Sequence, residues 1–446
     1  MIEEKIRIFR PIHYLGSKLR MLNFIEEAID NIDSEKKGVC DLFTGSGSVS
    51  FHLSYKKPVV SVDVQEYSRI ICSAILEKPI ISEEFISSFL SKCINSKHTQ
   101  NLFTAVSSLI EYEESAINKA LDKIELESLC GILENGSLIS YQVSNKTSAS
   151  KDLLDKLNIV LKNFETLNIS DVNSLSIRYF GGIYFSYKQT CEIDSILYQI
   201  ESSPEELKDF LKAALLSTIS DAVNTVGKQF AQPIRPRNSK GIIKPSLGKA
   251  VYKDRKMKIF ESYRKWLNKY YSLEIPDHGN TIIKDDYLVA LDNLPDNIGF
   301  VYADPPYTRD HYSRFYHVLE TISLRDLPEI STMVSKGETK LSRGLYRMER
   351  HQSPFCIRSQ APIAFEKMFQ KISSKGLKLL LSYSPYDDEK ETHPRVVKMD
   401  FLVNMAGKYF DNVEVKSVGD FTHSKLNSSE RHLDASSSAE VLIVCY

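Results

Sequence analysis

Two short clusters of residues have the types and spacing for chemistry. The first is Asp304-Pro305-Pro306-Tyr307. Paired prolines fix the backbone and remove two N–H donors. They would hold the Asp304 carboxylate and the first carbonyls outward, where they could accept hydrogen bonds from an amino group. The Tyr307 ring beside them could stack on a planar base. A rigid turn leaving a strand would use the same residues. The second cluster is Asp41-Leu42-Phe43-Thr44-Gly45-Ser46-Gly47. Glycines after a buried strand let the backbone approach a ligand, and a helix start offers free N–H groups. Asp63 lies 22 positions beyond Asp41. An acid about 20 residues on is placed to accept hydrogen bonds from ribose hydroxyls, so the spacing fits a nucleoside-containing cofactor. A structural turn uses such glycines equally often.

These clusters need elements to carry them. The apolar run 39–43 predicts a buried strand ending at the glycine turn, with a helix starting after Gly47. A second strand is predicted over 58–63, so the first 75 or so residues predict a β-loop-α-β unit. Strands return late in the chain, over 298–303 leading into the Asp304 cluster, over 377–383, around 413–418 and over 440–446. Between them, roughly 76–275, helical periodicity dominates, as in 81–94 and 108–133. Ser203-Pro204-Glu205-Glu206 predicts a capping box with proline at the first helical position. Leu207, Phe210, Leu211, Ala214 and Leu215 follow at helical spacing. After Val223 a Gly-, Pro- and Lys-rich stretch predicts loop. The fold expected is a split α/β domain with a large, mainly helical insertion: 1–75 and 276–446 around 76–275. The Ser-rich residues 428–438 predict loop.

Composition sets the outer limits. The chain has 446 residues, 42% hydrophobic and 26% charged. That is ordinary for a globular protein and excludes collagen, a coiled-coil rod and a mostly disordered chain. No apolar run approaches the roughly 18–20 residues of a membrane helix, and the charged start MIEEKIRIFR predicts no secretory signal, so the expected address is the cytoplasm. Seven cysteines lack C-x-x-C spacing, which predicts buried reduced thiols, no disulfide framework and no metal site. Lys and Arg number 57 against 58 Asp and Glu, for a net charge of −1. That average hides a local excess. From Lys228 to Lys258 ten basic residues face one acid, Asp254.

Taken together, PIHYLGSK at 11–18, DLFTGSG at 41–47, Asp63, KDDY at 284–287 and DPPY at 304–307 resemble the adenine-N6 DNA methyltransferases of the DNA adenine methylase family. Their order resembles the alpha class: cofactor motifs first, target recognition next, DPPY last. The resemblance covers about the first 75 residues and 280–320. It implies a Rossmann-like domain, S-adenosylmethionine as methyl donor and a target adenine flipped from double-stranded DNA. Carried over, Tyr14 and Lys18 would hold the methionine end of the cofactor, and Asp41, Phe43, Gly45 and Gly47 would line the loop around it. Asp63 would bind the ribose, and Asp286 would sit near the cofactor's adenine. Asp304, with Pro305 and Pro306, would accept hydrogen bonds from the target amine, and Tyr307 would stack on the flipped ring. The first motif departs from the family, which usually carries Trp and two glycines before the lysine; here Tyr14, Gly16 and Ser17 stand instead.

The basic stretch 228–258 falls where the resemblance puts target recognition. Lys228, Lys240 and Lys244 are its candidates for phosphate contact, and Gln229, Arg235, Arg237 and Asn238 for base edges; a solvated loop is the alternative. Arg343, Arg347, Arg350 and Arg358 form a second basic group for phosphate contacts. The aromatic segment 178–187 is either a substrate-side contact or a turn with core aromatics, and 309–317, directly after DPPY, either a lid or packing. The resulting expectation is a site-specific adenine methyltransferase, the modification component of a restriction-modification or phage-defence system with any nuclease as a separate subunit. The alternatives are a DNA-recognition subunit that is inactive or active only with a partner, and transfer to another amine: cytosine N4, RNA adenine or protein glutamine. Asp304 favours adenine over the last group.

Overall fold

The computed structural model describes residues 8–33, 37–143, 149–275, 278–335, 338–384, 395–417 and 440–446. The serine-rich 428–438 lie outside them. The chain divides into two compact units. The first comprises Met1–Lys78, Glu274–Ser313 and His351–Tyr446; the second comprises Pro79–Leu273 and Arg314–Arg350.

The first unit is built on a seven-stranded sheet. In chain order its strands are β1 (Gly38–Asp41), β2 (Val59–Asp63), β3 (Thr281–Lys284) and β4 (Ile298–Ala303). After a two-stranded hairpin in the second unit, β5 (Thr332–Ser335) and β6 (Glu338–Leu341), come β7 (Lys378–Tyr383), β8 (Val413–Ser417) and β9 (Val441–Cys445). The spatial order is β3-β2-β1-β4-β7-β9-β8. β3 through β7 run parallel, while β9 inserts antiparallel between β7 and β8. β1, β4, β7 and β9 are buried along nearly their whole length because both faces are covered. Alternate residues go to opposite cores: Cys40, Val301, Leu379, Leu381 and Ile443 pack on the face under helix Ala361–Ser374, and Val39, Phe300, Leu380 and Leu442 on the face under Leu22–Asp30.

The described part of the second unit is mainly helical. Its core gathers Leu102, Leu109, Leu129, Leu157, Phe164 and Tyr187 from helices that include the 25-residue Lys97–Leu121. A buried ion pair, Arg255 with Glu113, joins two of them, and Glu113 also accepts the Tyr187 N–H at 2.8 Å. The helix expected after Ser203 is present as Glu205–Ala222, burying Phe210, Leu211, Ala214 and Leu215. Its capping box is not. Ser203 Oγ donates instead to the Gln199 carbonyl at 2.9 Å, finishing the preceding helix, and Pro204 takes the capping position. The true capping box is Ser186 with Gln189. The stretch expected as loop after Val223 contains a helix, Leu247–Arg255. Segment 178–187 proves to be core: Tyr184 and Tyr187 are buried, and the Tyr187 hydroxyl donates to the Gly136 carbonyl at 2.7 Å.

Residues 314–350, expected with the sheet, cluster with the helical unit. Helix His317–Leu324 buries His317 against Tyr184, whose hydroxyl lies 3.2 Å from Nε2. The Phe230 N–H donates to the Phe315 carbonyl at 2.9 Å, and burial pushes the His317 imidazole down to about 3. Arg347, expected at phosphates, makes a two-pronged pair with Asp326 at 2.6 Å for each contact.

Candidate active site

The sheet order reverses between β1 and β4, and in open α/β sheets ligands bind beyond the carboxyl ends of strands at such a point. β1 ends on Asp41, β2 ends on Asp63, and Asp304 follows β4 directly. Beyond these ends lies an open cleft. Tyr14, Lys18, Asp41, Phe43, Asp63, Asp286, Asp304 and Pro306 line it. Gly45, Gly47, Pro305 and Tyr307 do not line it themselves.

The glycine turn shapes one wall. Gly45 and Gly47 have φ of +57° and +76°, in the left-handed region that favours glycine. A Cβ on Gly45 would stand 2.5 Å from the Tyr14 hydroxyl. Thr44 ties the turn down, its hydroxyl lying 2.9 Å from the Asp41 carbonyl and 3.1 Å from the Val62 carbonyl. The Gly45 and Gln65 N–H groups donate to the two Asp63 carboxylate oxygens, each at 2.9 Å. Ser50 donates to Asp41 Oδ2 at 2.7 Å, while buried Oδ1 has no hydrogen-bond partner among the described residues. Burial pushes the Asp41 carboxyl up to about 7, against the Ser50 hydrogen bond and with the help of Asp304 and Asp63. Asp286 caps helix Tyr287–Asp292 by accepting the Leu288 N–H at 2.9 Å. Phe43 packs edge-on to Phe355, ring centres 5.3 Å apart, giving this end of the cleft an apolar flank.

At the other end sits a charged cluster. Buried Lys18 lies 2.8 Å from Asp304 Oδ2 and 2.6 Å from Glu440 Oε1. Burial opposes the Lys18 charge, but Asp304 and Glu440 overcome it and hold the ammonium well above its usual range. The Asp304 side chain is 21% exposed. Its carboxyl is pushed up to about 6, chiefly by burial, with Lys18 pulling down and Glu440 pushing up. Tyr307 donates to Glu440 Oε1 at 3.3 Å, and the Arg395 guanidinium lies 4.8 Å from its ring centre.

Glu440, His351, Phe355 and Tyr312 were not read from the sequence, yet the last three line the cleft and Glu440 holds Lys18. Only Tyr312 carried a hint, its position just after DPPY.

The basic candidates lie in the second unit and fare unevenly. Lys228 is consumed internally: its amine donates to the Asp221 and Val223 carbonyls and to Asp254 at 2.7–3.0 Å. Arg237 pairs with Glu134 at 3.0 Å. Asn238 Oδ1 accepts the Lys240 and Ile242 N–H groups at 2.9 and 3.0 Å. Gln229 is half-buried; Arg235, Lys240 and Lys244 are exposed.

A parallel-rich sheet reversing at β1/β4, a glycine turn after β1 and acids at two strand ends fit a Rossmann-like methyltransferase. Residues 14–189 and 247–355 match the family described as D12 class N6 adenine-specific DNA methyltransferase, and the chain belongs to that family. It is similar to Modification methylase LlaI of Lactococcus lactis subsp. lactis, 22% identical over 97% of this chain and 54% of that protein. It is also similar to Type II methyltransferase M.FokI of Planomicrobium okeanokoites, 25% identical over 84% of this chain and 44% of that one. A third relative is Type II methyltransferase M.NlaIII of Neisseria lactamica, 23% identical over 80% of each. The chain thus spans about half the length of the first two. Among the described residues no helix is long and apolar enough to cross a membrane.

Proposed function

We propose that this chain methylates N6 of adenine in duplex DNA, with S-adenosylmethionine as donor, as the modification component of a restriction-modification system. The observation that carries this reading is Asp304-Pro-Pro-Tyr307, whose Asp304 and Pro306 line the acid-lined cleft, directly after the strand where the sheet reverses. The relatives' names, a modification methylase and two type II methyltransferases, support the biological role.

The cleft residues fit the cofactor. Asp41 Oδ1 is a buried acceptor lacking a donor, suited to an ammonium group. Asp63 and Asp286 suit ribose hydroxyls and an adenine amine, and Phe43 with Phe355 suits a flat ring. When bound, S-adenosylmethionine supplies an electrophilic methyl on a sulfonium.

The exocyclic amine of adenine is a weak nucleophile because its lone pair is delocalised into the ring. Asp304 and the Pro305 carbonyl accept its two hydrogens, favouring the pyramidal nitrogen that frees the lone pair. Positioning and electrostatics supply most of the effect. Extruding the base costs a few kcal/mol, which stacking on Tyr307 partly offsets. Exposed Arg235, Lys240 and Lys244, with Arg237 exchanging Glu134 for phosphate, contact the DNA backbone, and the helical second unit reads the target sequence. A nuclease partner is a separate subunit.

The test is incubation with methyl-labelled S-adenosylmethionine and mixed duplex DNA, beside an Asp304→Ala control. Labelled N6-methyladenine is expected from the parent and none from the variant, which retains cofactor binding. Label on cytosine or on protein, or an active variant, refutes the assignment.

A further inference from the structure

Asp304 meets a difficulty that the cleft alone does not resolve. One of its oxygens is engaged by Lys18 at 2.8 Å, and Lys18 is buried. An ammonium has three donors. Those of Lys18 reach Asp304, Glu440 and the Gly16 carbonyl, the last at 3.2 Å. To give its full negative charge to the amine hydrogen it accepts, Asp304 must loosen its hold on the lysine, and a buried cation left with no carboxylate would be strongly disfavoured. Glu440 removes that obstacle. It stands immediately before β9, is itself buried, and touches both Lys18 and the Tyr307 hydroxyl through Oε1.

We infer that Glu440 is a positioning residue for the methyl-transfer reaction: it shares Lys18 with Asp304, so the lysine can yield Asp304 to the target amine while staying paired. This inference rests on the methyltransferase reading above. The same carboxylate fixes the Tyr307 hydroxyl, so one side chain orients both ends of the DPPY turn. Two carboxylates against one ammonium leave a net negative charge facing the electropositive amine hydrogens. Without the Glu440 charge, Lys18 and Asp304 form a closed pair with which the amine must compete.

The groups facing Asp304 are Lys18 from the N-terminal segment, Asp41 from β1, Tyr302 from β4, Tyr307 from its own turn, and Glu440. Glu440 raises the Asp304 pKa, so its neutralisation lowers it. The acid limb of activity then moves to lower pH even as turnover falls, and a variant that keeps the carboxylate, Glu440→Asp, leaves the limb in place.

The experiment uses the full chain, methyl-labelled S-adenosylmethionine and duplex DNA, comparing the parent with Glu440→Gln and Glu440→Asp. For Glu440→Gln, kcat is expected to fall by about tenfold to a hundredfold. The KM for S-adenosylmethionine stays within about threefold of the parent, as expected for a role beyond ground-state binding. The acid limb shifts lower by about half a pH unit or more. Glu440→Asp returns the limb to the parent position and recovers part of kcat. Glu440→Gln with parental kcat and an unmoved limb overturns the inference. If that variant does not fold by circular dichroism, Glu440→Asp decides: kcat below the parent with an unmoved limb supports the inference, and undiminished kcat overturns it. A parent that labels no adenine is a different failure; it refutes the methyltransferase reading and this inference with it.

Discussion

Adding one methyl group at Gly45 tests how the cleft is built. At φ +57° an alanine pays about 1–2 kcal/mol for the left-handed backbone. Its Cβ would also lie 2.5, 2.6 and 2.8 Å from the hydroxyl, Cζ and Cε1 of Tyr14, closer than real Cβ contacts come. The Tyr14 ring is the far end of a side chain and can swing, but it packs on Tyr312 with ring centres 5.7 Å apart. Displacing it adds on the order of 1 kcal/mol, in the range of overpacking costs. Gly45→Ala is therefore expected to destabilise the protein by about 2–3 kcal/mol in urea unfolding. Because Tyr14 lines the cleft, affinity for S-adenosylmethionine by calorimetry should weaken by about tenfold, or 1.4 kcal/mol. Tyr14→Ala in the same chain separates the two sources. It relieves the collision but not the backbone, so the double-mutant cycle should show about 1 kcal/mol of coupling. Gly45→Ala with parental stability and affinity, or a strictly additive cycle, would refute the close approach of turn and ring.

Further outcomes follow from the charged groups. With the Asp304 carboxyl near 6, its protonated form cannot accept amine hydrogens, so kcat/KM for DNA should fall about tenfold below its plateau by pH 5; a flat rate from pH 5 to 8 contradicts that role. Reversing Arg235 and Arg237 to Glu should weaken DNA binding and reduce its logarithmic salt slope by about two; an unchanged slope makes the stretch a solvated loop. Arg255→Met leaves buried Glu113 uncompensated and should cost about 3–5 kcal/mol of stability while leaving that salt slope alone. Equal stability of that variant would show that the pair is not what joins its two helices.

Four of the five parallel strands were legible because each is a short, largely apolar run, and such runs suit a sheet covered on both faces; β3 was not read, because it is a four-residue edge strand that is only half-buried. The residues 298–303 read as a strand are β4 without a shift in either end. What stayed hidden depends on partners far apart in sequence. Glu440 resembles any acid before a strand until β9 inserts beside β7 and brings it to Lys18. In the basic stretch, Lys228 and Arg255 carry the same charge as Arg235. Asp254 and Glu113 occupy the first two, and no local pattern announces that. The capping box at Ser203 failed for a related reason: the hydroxyl had two competing acceptor and donor groups, and the end of the preceding helix took it.

The pairing of β2 with β3 has a consequence for synthesis. Val60 sits opposite Thr281 in the sheet, and the nearby Val59 N–H is closed by the Asn280 side chain, 221 residues further along the chain. At about 5–20 residues per second, roughly 10 to 45 seconds separate the emergence of the two strands from the ribosome. Through that interval the apolar strand Val59–Asp63 has no neighbour on its outer side, and an open edge is a template for another chain. Most of the helical unit, Pro79–Leu273, emerges within the same interval and can begin to pack before β3 appears. Its folding draws residues 79 and 273 into one compact body and shortens the effective loop that β3 must close. The insertion thereby acts on the sheet's assembly in time, and slowing its folding would be felt first as aggregation of unfinished chains.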